Sequence, residues 1–112
     1  MGKLTTHVLD TVQGGPAAGV RIELRRVKDG KMIASVTTNA DGRGDRPLLE
    51  GDTLESGEYE LLFMVREYFM ERGVDSPFLD RVPVRFVVFD TAQNYHVPLL
   101  VSPWAYSTYR GS

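Results

Sequence analysis

Two histidines, His7 and His96, are the only imidazoles in the chain, and there is no cysteine at all. An imidazole exchanges its proton near neutral pH, so this pair supplies the obvious general acid–base candidates. Each lies within a run that alternates like a strand, and is therefore held by a rigid element rather than carried on a loop. A lone strand histidine is nevertheless more often a packed or surface residue than a catalyst. Arg43 follows the turn Asn39-Ala40-Asp41-Gly42 directly. A solvated turn arginine is the default reading there, as at Arg25, Arg26 and Arg66. The functional reading rests on the guanidinium's fixed fork of donors, which suits the oxygens and nitrogens of a flat polar heterocycle. The segment Tyr106-Ser107-Thr108-Tyr109-Arg110-Gly111-Ser112 carries tyrosines, an arginine and hydroxyls to its last residue. It is either the polar end of an edge strand or part of a pocket, and periodicity does not separate the two.

Other chemistries find less support. Catalytic zinc takes three protein ligands, and the chain has neither His-x-His nor His-Glu-x-x-His spacing. The expectation is no metal and no cofactor. There is no Gly-x-Ser-x-Gly elbow for a serine nucleophile, and no phosphate loop or dinucleotide glycine pattern. Thirteen basic against 15 acidic residues give a formal charge of -2. With no basic run, nucleic acid is an unexpected partner. Met1-Gly2-Lys3-Leu4-Thr5 lacks a signal-peptide apolar core, and no stretch approaches membrane-spanning length, so a soluble, cytoplasmic protein is expected.

The elements that must position these residues read mainly as strands. Leu4 to Asp10 alternates, with Leu4, Thr6 and Val8 on one face and Thr5, His7 and Leu9 on the other. Gly14-Gly15-Pro16 turns the chain. Val20, Ile22 and Leu24 then alternate with Arg21, Glu23 and Arg25, and Asp29-Gly30 marks a hairpin into Met32 to Thr38. After the Asn39 to Gly42 turn, Glu58 to Val65 is a strand with Tyr59, Leu61 and Phe63 facing one way. Val65, Tyr68, Phe69 and Arg72 recur at helical spacing, and Gly73 stops what is read as one short helix. Pro83 to Phe89, Tyr95 to Val101 and Ala105 to Tyr109 are the remaining strands. Pro98 predicts an edge position or a bulge, because proline cannot donate to a ladder. At 112 residues, 42% of them hydrophobic, these elements suit one all-β two-sheet sandwich domain spanning residues 1–112.

Three stretches carry a closer likeness: Leu4-Thr5-Thr6-His7-Val8-Leu9-Asp10, Thr38-Asn39-Ala40-Asp41-Gly42-Arg43, and Tyr95-His96-Val97-Pro98-Leu99-Leu100-Val101-Ser102-Pro103 running into Tyr106 to Ser112. Over essentially its whole length the chain resembles the 5-hydroxyisourate hydrolases, the transthyretin-related enzymes of urate breakdown. The terminal Tyr-Arg-Gly-Ser is the most specific mark, and with both histidines it separates the hydrolases from the hormone carrier of the same fold. The resemblance implies a transthyretin-like sandwich of eight strands in two four-stranded sheets with one short helix. It also implies a homotetramer, a dimer of dimers with sites at subunit interfaces, and metal-independent opening of a ring amide. It maps catalytic residues onto His7, Arg43 and His96. Ser112 lies close by, and Tyr109 and Arg110 join it in substrate binding. Arg46 to Asp52 and Gly73 to Arg81 receive no catalytic role. Which histidine is base and which acid stays open. The rival reading is a transthyretin-like carrier of a small ligand without catalysis.

Overall fold

The alternation of the first segment is realised in β1 (Lys3–Asp10), where Leu4, Thr6, Val8 and Asp10 are buried and Thr5, His7 and Leu9 are half-buried. The computed structural model describes residues 1–112. After β1 come β2 (Gly15–Pro16), β3 (Arg21–Arg26), β4 (Met32–Thr37), β5 (Leu49–Glu50), β6 (Gly57–Met64), the helix α1 (Val65–Glu71), β7 (Arg81–Val88), β8 (Tyr95–Val101) and β9 (Tyr106–Thr108). One sheet runs β4-β3-β6-β7, entirely antiparallel. The other runs β2-β1-β8-β9, with β5 also on the outer edge of β1. Within it β1 and β8 are parallel, seven residues against seven.

The inner faces of both sheets meet in one hydrophobic core that includes Leu4, Val8, Ile22, Leu61, Phe63 and Leu99. This is the two-layer solution open to half-apolar strands. The helix buries Val65, Tyr68 and Phe69, the i, i+3, i+4 stripe read in the sequence. It ends at Gly73, whose φ of +73° costs other residues strain. Tyr68 then reaches across to β1, donating its hydroxyl to Asp10 Oδ2 at 2.8 Å. Asp10 Oδ1 accepts the backbone N–H groups of Val12 and Gln13. Burial first, then the Asp10 carboxylate, pushes the Tyr68 phenol up to about 12.

Three expectations need correction. There are nine strands in sheets of five and four, because the short pairs β2 and β5 cap the two ends of β1 where eight strands in equal sheets were expected. The last strand is shorter than expected, Tyr106–Thr108. Pro98 is at neither an edge nor a bulge: β8 lies between β1 and β9. Leu99 pairs with Thr108, and His96 with Gly111 in the same register. The ladder is simply broken between those pairs, where proline has no N–H to give. The Pro98 carbonyl still accepts the Thr108 hydroxyl at 2.7 Å.

Candidate active site

Parallel pairing of β1 with β8 sets Thr5 beside His96 and His7 beside Pro98. Directly paired residues share a face, so both histidines project from the outer surface of this sheet, one step apart along it. Thr5 Oγ1 lies 2.8 Å from His96 Nδ1. On the opposite edge of the ring, a Cβ added to Gly111 would come within 2.5 Å of His96 Cδ2. Only a glycine backbone passes that close, and its N–H donates to the His96 carbonyl at 2.7 Å. The imidazole is thus held by both edges, with its Nε2 tip left free of protein partners and not sealed from solvent.

Arg43 arrives by a different route. Asn39 Oδ1 accepts the backbone N–H groups of Asp41 and Arg43, which tightens the turn. Gly42 has φ +76°, and a Cβ there would sit 2.5 Å from the Val8 carbonyl oxygen. The turn therefore lies flat on the free edge of β1: Gly42 accepts the Val8 N–H, and Arg43 bridges to His7. His7 Nε2 lies 2.8 Å from the Asp41 carbonyl oxygen. A carbonyl only accepts, so Nε2 carries the proton and a neutral His7 has its lone pair on Nδ1.

These groups border a cleft of about 430 Å³, lined by Lys3, Thr5, Arg43, Asp45, Arg46, His96 and Ser112 among others. Its three basic side chains outnumber its one acidic side chain, Asp45. Burial first, then the positive charges of Arg43 and His7, hold the His96 imidazole below its ordinary value. His96 is accordingly neutral at pH 7 and able to take a proton.

Arg43, His96 and Ser112 come together at this cleft, and His7 stands beside it on β1. Tyr109 and Arg110 line a second, apolar hollow with Phe86, Phe89, Tyr95 and Val97. The register explains Arg110: it falls opposite Val97, on the inner face, whereas Gly111 falls opposite outward-facing His96. Its guanidinium lies over the Tyr95 ring and donates to Gln93 Oε1 and the Asn94 carbonyl. Sequence reasoning passed over Thr5, Lys3 and Arg46. Arg46 belongs to the segment given no role, yet it lines the cleft. The one signal for Thr5 was its parity with His7; its pairing with His96 needed the order of the strands. No three side chains of His, Asp or Glu are grouped as metal ligands would be.

The model of the HIUase/Transthyretin family matches residues 4–111. The chain belongs to this family. Among its relatives, a Deinococcus radiodurans protein named 5-hydroxyisourate hydrolase is 54% identical, over 97% of this chain and 95% of its own. The solved 5-hydroxyisourate hydrolase of Klebsiella pneumoniae superposes with a TM-score of 0.87 at 37% identity, covering all of both chains. An (S)-allantoin synthase superposes with a TM-score of 0.94 at 45% identity; there the match covers 99% of this chain but 44% of the other. In family terms the two-sheet sandwich, its short helix and the outward histidines of β1 and β8 form one scaffold with the cleft on its surface.

Proposed function

We propose that this chain hydrolyses 5-hydroxyisourate, opening a ring amide of that purine-derived substrate. The observation that carries the reading is His96, neutral and gripped by Thr5 and Gly111, facing a cleft that also holds Arg43. In this reading His96 Nε2 takes a proton from water as the water oxygen bonds to the carbonyl carbon. The carbonyl π pair moves onto oxygen, and the Arg43 guanidinium stabilises that charge. Collapse re-forms the carbonyl and breaks the C–N bond, with the proton returned from His96 to the departing ring nitrogen. The new carboxylic acid ionises, and the cationic lining of Lys3, Arg43 and Arg46 favours that product. His7, with Nε2–H committed to Asp41, offers Nδ1 to orient water or substrate. The Ser112 hydroxyl supplies a further polar contact to substrate, and Arg110, braced on Gln93, Asn94 and Tyr95, holds that end of the chain in place.

The same residues account for the reaction without metal. No three His, Asp or Glu side chains are grouped as a metal site needs, and two imidazoles with one guanidinium can divide the proton transfers and charge stabilisation among them. Prolonged chelation leaves turnover unchanged on this reading; loss restored by zinc would overturn it. The working form is a homotetramer of four 12.5 kDa chains. Phe78, Phe89 and Trp104 are largely exposed in the single chain, β9 presents an unpaired outer edge, and Arg43 and Ser112 stand open to solvent. Light scattering at assay concentration checks this, and an active monomer refutes it. The decisive test generates hydroxyisourate freshly from urate and follows its ultraviolet decay with and without protein. Acceleration above the spontaneous rate is expected. Binding without acceleration would return the chain to the small-ligand carrier reading.

A further inference from the structure

The Thr5–His96 contact does more than anchor a ring. A threonine hydroxyl both donates and accepts, so a 2.8 Å separation from Nδ1 is compatible with either neutral tautomer of His96. The two differ in chemistry. If Thr5 donates to Nδ1, the proton sits on Nε2, and the tip facing the cleft is a donor unable to activate water. If Nδ1–H donates to Thr5, the Nε2 lone pair faces the cleft. The surroundings select between them. The basic side chains of Lys3, Arg43 and Arg46 line the cleft, and Asp45 is its one acidic side chain. A lone pair aimed at net positive charge is favoured over an N–H dipole aimed the same way. No other partner competes for Thr5 Oγ1. Gly111 packs against the Cγ–Cδ2 edge, and a flip of the ring would turn Nδ1 toward that backbone and give up the Thr5 contact.

We infer that Thr5 is a positioning residue that accepts the Nδ1–H of His96, fixing the tautomer whose Nε2 is the base. The inference rests on the hydrolase reading for its kinetic consequence but not for the tautomer, which is a property of the free protein. Orientation of a catalytic imidazole by a second group on its far nitrogen is ordinarily done by a carboxylate or carbonyl. A hydroxyl does it here without adding negative charge, which leaves His96 low in basicity and neutral at pH 7.

The test reads the tautomer directly. Long-range ¹H–¹⁵N correlation spectra of the unliganded protein, assigned with His96→Asn, should show a protonated Nδ1 and a pyridine-type Nε2 at His96. A protonated Nε2 in the wild-type protein overturns the inference whatever the activity. Thr5→Val keeps the β-branched shape on a strand but removes the acceptor. It should move His96 toward the Nε2–H form and lower kcat about tenfold, the scale of one lost hydrogen bond, with KM little changed. Thr5→Ser, which keeps the hydroxyl, should restore both tautomer and kcat to within about twofold. Wild-type kcat in a folded Thr5→Val protein refutes the role of Thr5 and leaves the hydrolase reading standing. Failure of the wild-type protein to accelerate hydroxyisourate decay removes the hydrolase reading, while the spectrum still decides the tautomer.

Discussion

Two hollows flank the C-terminal tail, and they are chemical opposites. One, of about 430 Å³, gathers Lys3, Arg43, Arg46 and His96 around few apolar side chains. The other, of about 240 Å³, is walled by Val84, Phe86, Phe89, Tyr95 and Val97. The cations beside the apolar hollow are already engaged, Arg85 with Glu60 and Arg110 with Gln93 and Asn94. The cleft instead keeps an uncommitted imidazole nitrogen. A single segment serves both: Tyr109 and Arg110 close the apolar hollow, and Gly111 and Ser112 border the cleft. Arg110 falls opposite inward-facing Val97 and Gly111 opposite outward-facing His96, so the tail passes from one hollow to the other between those two residues. Chemistry is therefore expected on one side of the tail and structure on the other, and substitutions on the two sides should separate.

The largest separation is expected at the histidines. His96→Asn removes the cleft-facing base and should lower turnover by roughly 10²-fold or more. His7→Asn should also lower it by about that factor, since the ring nitrogen left after the Asp41 contact is lost. Circular dichroism and thermal unfolding should stay near wild type, because both side chains lie on the outer face. Full turnover in both folded variants would remove the chemistry from this side of the tail.

Gly111→Ala comes next. Its methyl would stand 2.5 Å from His96 Cδ2 and 3.2 Å from Cγ, so either ring or tail must move. A loss of roughly tenfold to 10²-fold in kcat is expected, since a displacement of about 1 Å costs that much in a positioned site. Thr108→Val, on the same tail but facing Pro98, should leave kcat within about threefold. Equal effects would mean that the whole tail, not its cleft side, sets the base.

The pH profile sharpens the same contrast. His96 faces Arg43 and His7, with Lys3, Arg46 and Asp45 around the cleft, and its imidazole is held below its ordinary value. The base is active when neutral, so turnover should hold as pH falls to 6.5 and decline only below it. The stability term has the same sign. The unfolded chain takes up the proton first, so folding is weakened as pH falls through 6.5 toward the lower folded value, and is unaffected above. An acid limb centred above 6.5 would contradict the desolvated, cation-flanked setting.

Much of this division was legible in the sequence, and the remainder had a physical reason for being hidden. Strand parity announced that Leu4, Thr6 and Val8 go inward and His7 outward, and helical spacing announced the buried stripe of Val65, Tyr68 and Phe69. The family likeness named His7, Arg43 and His96. Neither source could show Thr5 next to His96, because that adjacency arises from parallel pairing of segments 91 residues apart. Pro98 misled for a related reason. Its missing donor rules out a complete ladder, but an interior strand tolerates it where the facing chain leaves a gap. The tail was read as one unit because a run of polar residues does not reveal which of them share a face; that depends on the register with β8.

The smallest effect on turnover is expected far from the cleft, at the other end of β1. Tyr68→Phe removes the hydroxyl that Asp10 Oδ2 accepts. Asp10 is buried, but its other oxygen keeps the Val12 and Gln13 N–H groups, so the carboxylate is not abandoned. Loss of one hydrogen bond to a charged group costs about 1.5–3 kcal/mol, which urea unfolding would read as a lower midpoint at unchanged slope. Turnover below the transition should stay within about twofold. His7 lies three residues from Asp10, yet its ring is held by Asp41 and its backbone by the bridge to Arg43. A folded Tyr68→Phe protein with turnover lowered about tenfold would show that the helix positions His7 through β1. The division between a chemical side and a structural side would then have to run through the length of that strand rather than across the tail.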